Sequence, residues 1–164
     1  MKKAVEVVLD NLNGTKCELA GEVLRSFGSL RLRVTGWSML PTIWPGDTLV
    51  IEPLNTDLAS EGDIVLFSSG NRFVAHRVVR KSGAPGGAVV QTQGDALART
   101  DCPLSGNALL GRVSFIVRNG KWVSPSKTMR LSERTAANLF RRSEIVARVV
   151  AGVHGLRRAS QNQT

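Results

Sequence analysis

The chain has 164 residues, 42% of them hydrophobic, and a formal net charge of +9. That length buries one core, with appended elements, and leaves no room for a second large domain. The two cysteines, Cys17 and Cys102, stand far apart with neither CxxC nor Cys/His spacing, which speaks against a zinc site or a disulfide framework and for free thiols in a reducing compartment.

The N-terminus, MKKAVEVVLDNLNG, opens on two lysines, but Glu6 and Asp10 interrupt the apolar residues before a signal-peptide core forms. No later run approaches the roughly 18 apolar residues of a membrane span. The sequence reads as a soluble, cytoplasmic protein. Charge is uneven: residues 1–117 hold 12 basic against 11 acidic side chains, and residues 118–164 hold 10 against 2. The basic character belongs to the tail, without the interleaved aromatics that would suggest nucleic acid.

In chain order, residues 16–28 place Leu19, Val23, Leu24 and Phe27 at helical spacing and stop at Gly28, which predicts an amphipathic helix. Leu30, Leu32 and Val34 then alternate with Arg31, Arg33 and Thr35, the period of a half-buried strand. After it comes GWSMLPTIWPGD, Gly36 to Asp47, which sets Ser38 on a bend behind Gly36 and pins the chain with Pro41 and a Pro45-Gly46-Asp47 turn. A surface serine needs no such scaffold, whereas a nucleophile must be held beside its base and beside backbone N–H groups that receive an oxyanion. TLVIEP, IVLF, the stretch Arg72 to Arg80 and AVVQTQ read as further short strands, with KSGAPGG a loose segment between the last two. LLGRVSFIV and KWVS, joined at Asn119-Gly120, read as a closing hairpin. From Ser132 the period becomes helical, with Leu139, Val146, Val150 and Val153 on one side and Arg141 and Arg148 off it, the pattern of a basic amphipathic helix. The expected organisation is a helical segment over 1–30, a β domain over 31–125 and a basic helical tail over 126–164.

Two more features carry chemistry. FVAHRVV sets His76 in an otherwise apolar strand, and QGDALARTD supplies Asp95 and Asp101 on an irregular segment. A hydroxyl on a rigid bend, an imidazole on a strand and a loop carboxylate are the nucleophile, base and orienter of acyl transfer.

Taken in order, GWSMLPTIWPGD, GDIVLF, AHRVV, QGDALARTD and LLGRV resemble the successive boxes of type I signal peptidases and of the LexA-type self-cleaving repressors that share their fold. The resemblance covers roughly residues 31–117. It implies a mainly β, coiled half-barrel with flanking N- and C-terminal helices and an active site on an open groove. It implies Ser38 as nucleophile, and Gly36, Trp37, Met39 and Pro41 around it as the oxyanion and substrate-binding segment. The position before Arg77 holds Lys in most bacterial members and His in the endoplasmic-reticulum and archaeal type, so His76 resembles the latter, with Asp101 matching its acid. Gly36-Trp37 replaces the Ser-Gly usual before the nucleophile in bacterial signal peptidases, so backbone N–H groups, chiefly that of Ser38, would have to receive the oxyanion. The transmembrane anchor of a signal peptidase is missing, which shifts the expected substrate to an intracellular peptide or protein cut after small residues.

The histidine variant is chemically economical. A lysine, titrating near 10.4, must be strongly desolvated to accept a proton at neutral pH, whereas a histidine titrates near about 6.5. It does need orienting, with Asp101 the first candidate, Asp95 the reserve, and Lys81 the alternative base if His76 is structural. No cofactor and no metal are expected. Partners are the peptide or protein substrate, a protein or anionic membrane surface met by the basic helix, and a second copy of the chain. Two competing functions stand beside the peptidase. One is a self-cleaving regulator cut at Ala20-Gly21, and the other is a non-catalytic peptide-binding module.

Overall fold

A computed structural model of the chain describes residues 5–7, 14–70, 72–84, 87–105, 108–129 and 131–142, with 149 and 152. The described residues form one sheet of nine strands and two helices. Strand β1 (Val5–Val7) runs parallel to β2 (Leu30–Arg33), and helix α1 (Gly14–Phe27) lies between them in sequence, the crossover a parallel pair requires. Every other pairing is antiparallel. β2 pairs with β3 (Thr48–Pro53), and β3 with β8 (Leu109–Arg118). β8 continues to β4 (Ile64–Ser69), then β5 (Arg72–Ala84), β6 (Gly87–Gln93) and β7 (Leu104–Ser105), while β9 (Lys121–Val123) folds back on β8. Register shifts at Val50/Ile51, Leu66/Phe67 and Val78/Arg80 bend the strands, as bulges do, and coil the sheet. The mainly β fold with a helix at each end is the one expected.

Alternation decides which side chains meet. Leu30 and Leu32 of β2, Leu49 and Ile51 of β3, Ile64 and Leu66 of β4 and Val113 and Ile116 of β8 bury into one cluster with Ala20, Leu24, Met39 and Ile43. A second cluster gathers Ala59, Val65, Val78, Val90 and Leu109. A third is smaller and sits on loops: Leu40, Ala96 and Phe140, with Trp37, Trp44 and Ala136 packed against it.

Several expectations are corrected. α1 ends before Gly28 as predicted, but its buried face is Ala20 and Leu24, with Leu19 57% and Phe27 49% exposed. The small Ala20 lets the helix sit close to the sheet, and this turns the larger Leu19 and Phe27 outward. The supposedly loose segment after Arg80 is mostly strand, because Ser82, Gly83 and Ala84 pair with Val89, Ala88 and Gly87 through their backbones and need no apolar pattern. β1 and β7, at three and two residues, are too short to show a period.

Helix α2 (Leu131–Arg142) buries Ala137 and Phe140 and exposes Leu139 by 58%, so the predicted stripe through Leu139 marks the wrong side. The rest of that stripe, Val146, Val150 and Val153, lies outside the described residues, as does Arg148. Among the described residues no helix is long and apolar enough to cross a membrane.

Candidate active site

The nucleophile candidate stands on a closed loop. Val34 N donates to Asp47 O at 2.8 Å and Gly46 N to Val34 O at 2.7 Å, so the two ends of the segment between β2 and β3 are tied together. The tie is reinforced by charge. Asp47, with no solvent exposure, accepts both Nε and Nη2 of Arg118, and Arg118 Nη2 also donates to Thr42 O at 2.9 Å. A buried carboxylate held by a guanidinium fork fixes direction as well as distance. Within the loop Leu40 N donates to Trp37 O and Ile43 N to Met39 O, and the Leu40–Pro41 peptide is cis. Met39 points into the main core, Trp37 packs on the small loop cluster, and Ser38 between them is half-buried with its hydroxyl free to face the sheet. Gly36 departs from expectation: it is exposed and a Cβ there would meet nothing within 4 Å, so the bend does not depend on it. The Ser38 N–H is not among the backbone donors that tie this loop together.

His76 comes from β5, opposite Val65 of β4, and is 4% exposed. The edge of Phe67 packs on its ring at 6.0 Å between centroids. Its Nε2 lies 3.0 Å from Ser38 Oγ and its Nδ1 lies 2.7 Å from Asp101 Oδ2. Burial pushes the Asp101 carboxyl up, but hydrogen bonds from His76 and Thr92 and the charge of His76 outweigh it and hold the group below its ordinary 3.8. An ionised carboxylate only accepts, so Nδ1 carries a proton, and in the neutral form of the ring Nε2 is then the nitrogen with a lone pair towards the Ser38 hydroxyl.

Asp101 is held in turn. Thr92, fully buried on β6, donates from Oγ1 to Asp101 Oδ2 at 2.7 Å, and Asp101 N donates to Thr92 O at 2.8 Å. Between these two residues the chain makes the Gly94–Leu97 turn, closed by Leu97 N to Gly94 O at 2.9 Å and joined to the nucleophile loop by Ala96 N to Ser38 O at 2.9 Å. Gly94 is required by space: a Cβ there would lie 2.7 Å from Ser38 O and 3.0 Å from His76 Nε2.

Asp95 does something else. It accepts Nε and Nη2 of Arg77 at 2.9 and 2.8 Å and the hydroxyl of Thr42, while Arg77 Nη1 reaches the carbonyls of Gly62 and Ser126. Both partners of this ion pair are buried, so either one alone would leave an uncompensated charge. Asp95 is thus spent on bracing the loops, and the reserve role beside His76 falls away. Lys81 Nζ donates to Asp57 O at 2.7 Å, and none of its hydrogen bonds goes to Ser38, His76 or Asp101.

The structure therefore brings Ser38, His76 and Asp101 into one hydrogen-bonded line and leaves Gly36 and Lys81 apart from it. Sequence reasoning missed Thr92, Gly94, Arg118 and Arg141, whose Nε donates to Asp95 O at 3.0 Å. Thr92 alternates like any strand residue, and the two arginines look like surface charge until the loops they hold are known.

None of the curated proteins matches the chain. The family model described as Peptidase S24-like matches residues 5–91, a span that takes in the nucleophile loop and the base strand and stops short of Asp101 and α2. The chain, more than half of which lies within that match, belongs to the Peptidase S24-like family, most of whose members are serine peptidases.

Proposed function

We propose that the protein is a serine endopeptidase that cuts an extended peptide by a Ser-His-Asp mechanism. The observation that carries the reading is the line from Ser38 Oγ through His76 to the Asp101 carboxylate, at 3.0 and 2.7 Å. Ser38 Oγ attacks the scissile carbonyl as His76 Nε2 takes its proton, and the imidazolium is stabilised by Asp101. The Ser38 N–H is the donor for the oxyanion. The C–N bond breaks as His76 returns the proton to the leaving amine, and water then repeats the sequence to release the acyl group from Ser38.

The substrate fits beside β5. Among the described residues no strand pairs with the edge of Arg72–Ala75 opposite β4, because β6 ends at Gln93 against Arg77. A peptide added there as a strand passes next to His76, its backbone bonded and its side chains alternating between groove and solvent. The resemblance to signal peptidases adds a preference for small residues before the cut; the substrate we propose is an intracellular peptide or protein. Ala20-Gly21 is a poor site for self-cleavage, since it lies within α1 with Ala20 buried.

Purified protein incubated with a peptide library, beside a Ser38→Ala control, tests the reading. Cleavage lost in the control is the expected result. Absence of any Ser38-dependent cleavage, together with no labelling of Ser38 by a fluorophosphonate, would leave a peptide-binding module in its place.

A further inference from the structure

The C-terminal helix lies outside the segment matched by the family, yet it touches both loops of the site. Phe140 is 7% exposed and packs against Leu40 of the nucleophile loop and Ala96 of the acid loop. One residue on, Arg141 Nε donates to the carbonyl of Asp95 at 3.0 Å. Asp95 sits between Gly94, which abuts Ser38 O and His76 Nε2, and Ala96, whose N–H donates to Ser38 O. The Gly94–Leu97 turn is therefore held from two sides: Arg77 and Thr42 hold the Asp95 side chain, and Arg141 holds its backbone.

We propose that α2 is a positioning element of the active site, with Arg141 and Phe140 locking the Gly94–Leu97 turn and, through it, the separation of Ser38 from His76 and Asp101. The reading rests on the peptidase assignment above for its kinetic consequence, though not for the lock itself. A turn has few bonds of its own, and a charge-assisted hydrogen bond onto its carbonyl removes one of its remaining freedoms. Reacting groups displaced by about 1 Å lose on the order of 100-fold in rate, so a modest loosening is enough to be read in kcat. Because Arg141 acts on geometry, its loss lowers the plateau of the pH–rate profile and leaves the midpoint of the profile where it was. A residue acting through its charge would move the midpoint.

The test compares Arg141→Ala, Arg141→Lys, Phe140→Leu and, as a control on the exposed face of α2, Leu139→Ala, all in the full chain. Two readouts are taken: kcat and KM on a peptide cleaved by the parent, and hydrogen exchange of the Ala96 and Leu97 amides. The expected result for Arg141→Ala is a fall in kcat of about tenfold or more with KM within about twofold. Ala96 and Leu97 exchange faster while the amides of β3 and β8 do not change. Arg141→Lys recovers part of the rate, Phe140→Leu falls between, and Leu139→Ala matches the parent. An unchanged kcat in an active parent overturns the proposal, and so does unchanged exchange at Ala96 and Leu97 whatever the rate. If Arg141→Ala does not fold, the lysine variant is judged by the same two criteria. A parent with no Ser38-dependent cleavage removes the peptidase reading alone, and the exchange rates then decide the lock.

Discussion

α1 and α2 are both short amphipathic helices laid against one sheet, and they meet it differently. α1 buries Ala20 and Leu24 among strand side chains of the main core, where the geometry is already over-determined by side chains from four strands. α2 buries Phe140 against Leu40 and Ala96 and donates a guanidinium hydrogen bond to a turn carbonyl, where only a few backbone bonds fix the chain. Similar helices thus do different work. One that rests on strands adds stability to a shape that exists without it, whereas one that rests on loops decides how well the loops keep theirs.

The contrast breaks most visibly at the site. Ser38→Ala and His76→Ala should each lower cleavage by roughly 10⁴-fold or more while the protein still folds, and the double variant should be little worse than either, because the pair acts as a unit. Single-turnover assays measure this, and a His76→Ala protein that cleaves like the parent refutes the assignment.

Asp101→Asn comes next, with a loss on the order of 10²- to 10⁴-fold, since an amide can hold the imidazole in the wrong tautomer. The same change should alter acid unfolding. The Asp101 carboxyl is depressed in the folded state, so its contribution to stability is present above its unfolded value and disappears as pH falls through the lower folded one. Parent and variant should therefore differ in stability above about pH 4 and converge as the pH falls below it. In the parent, kcat/KM should rise through one ionisation in the range of imidazole groups, roughly pH 5.5 to 8. A profile that climbs only above about pH 9 would make a lysine the base.

On the scaffold side the expected pattern reverses. Leu24→Ala should cost about 2–5 kcal/mol of stability in denaturant titrations and leave kcat of the folded fraction alone. The smallest effect belongs to Leu19→Ala on the open face of α1, within about 0.5 kcal/mol of the parent. A larger loss there would restore Leu19 to the buried face that its spacing first suggests.

Legibility followed the physics of each element. β2 and β8 read clearly because one face of each is buried, β3 because its short apolar run is buried throughout, and Ser38, His76 and Asp101 read from residue type in five ordered motifs. The face of α1 was misread because helical spacing ranks large residues over small ones, and Ala20 is small. Only the resemblance put Asp101 ahead of Asp95, since by residue type both are loop carboxylates six positions from one another. Only the fold reveals that Arg77 takes the first and His76 the second. Arg141 was invisible because its partner is a backbone carbonyl, which has no signature in sequence.

Position 94 couples the nucleophile loop to the base strand through space alone. The space between the Ser38 carbonyl and the imidazole of His76 admits a hydrogen atom and excludes a methyl group, and the obstacle on one side is backbone, which cannot swing away. Any side chain at that position would have to push the Ser38 backbone or the His76 ring aside, and with them the 3.0 Å contact between hydroxyl and imidazole.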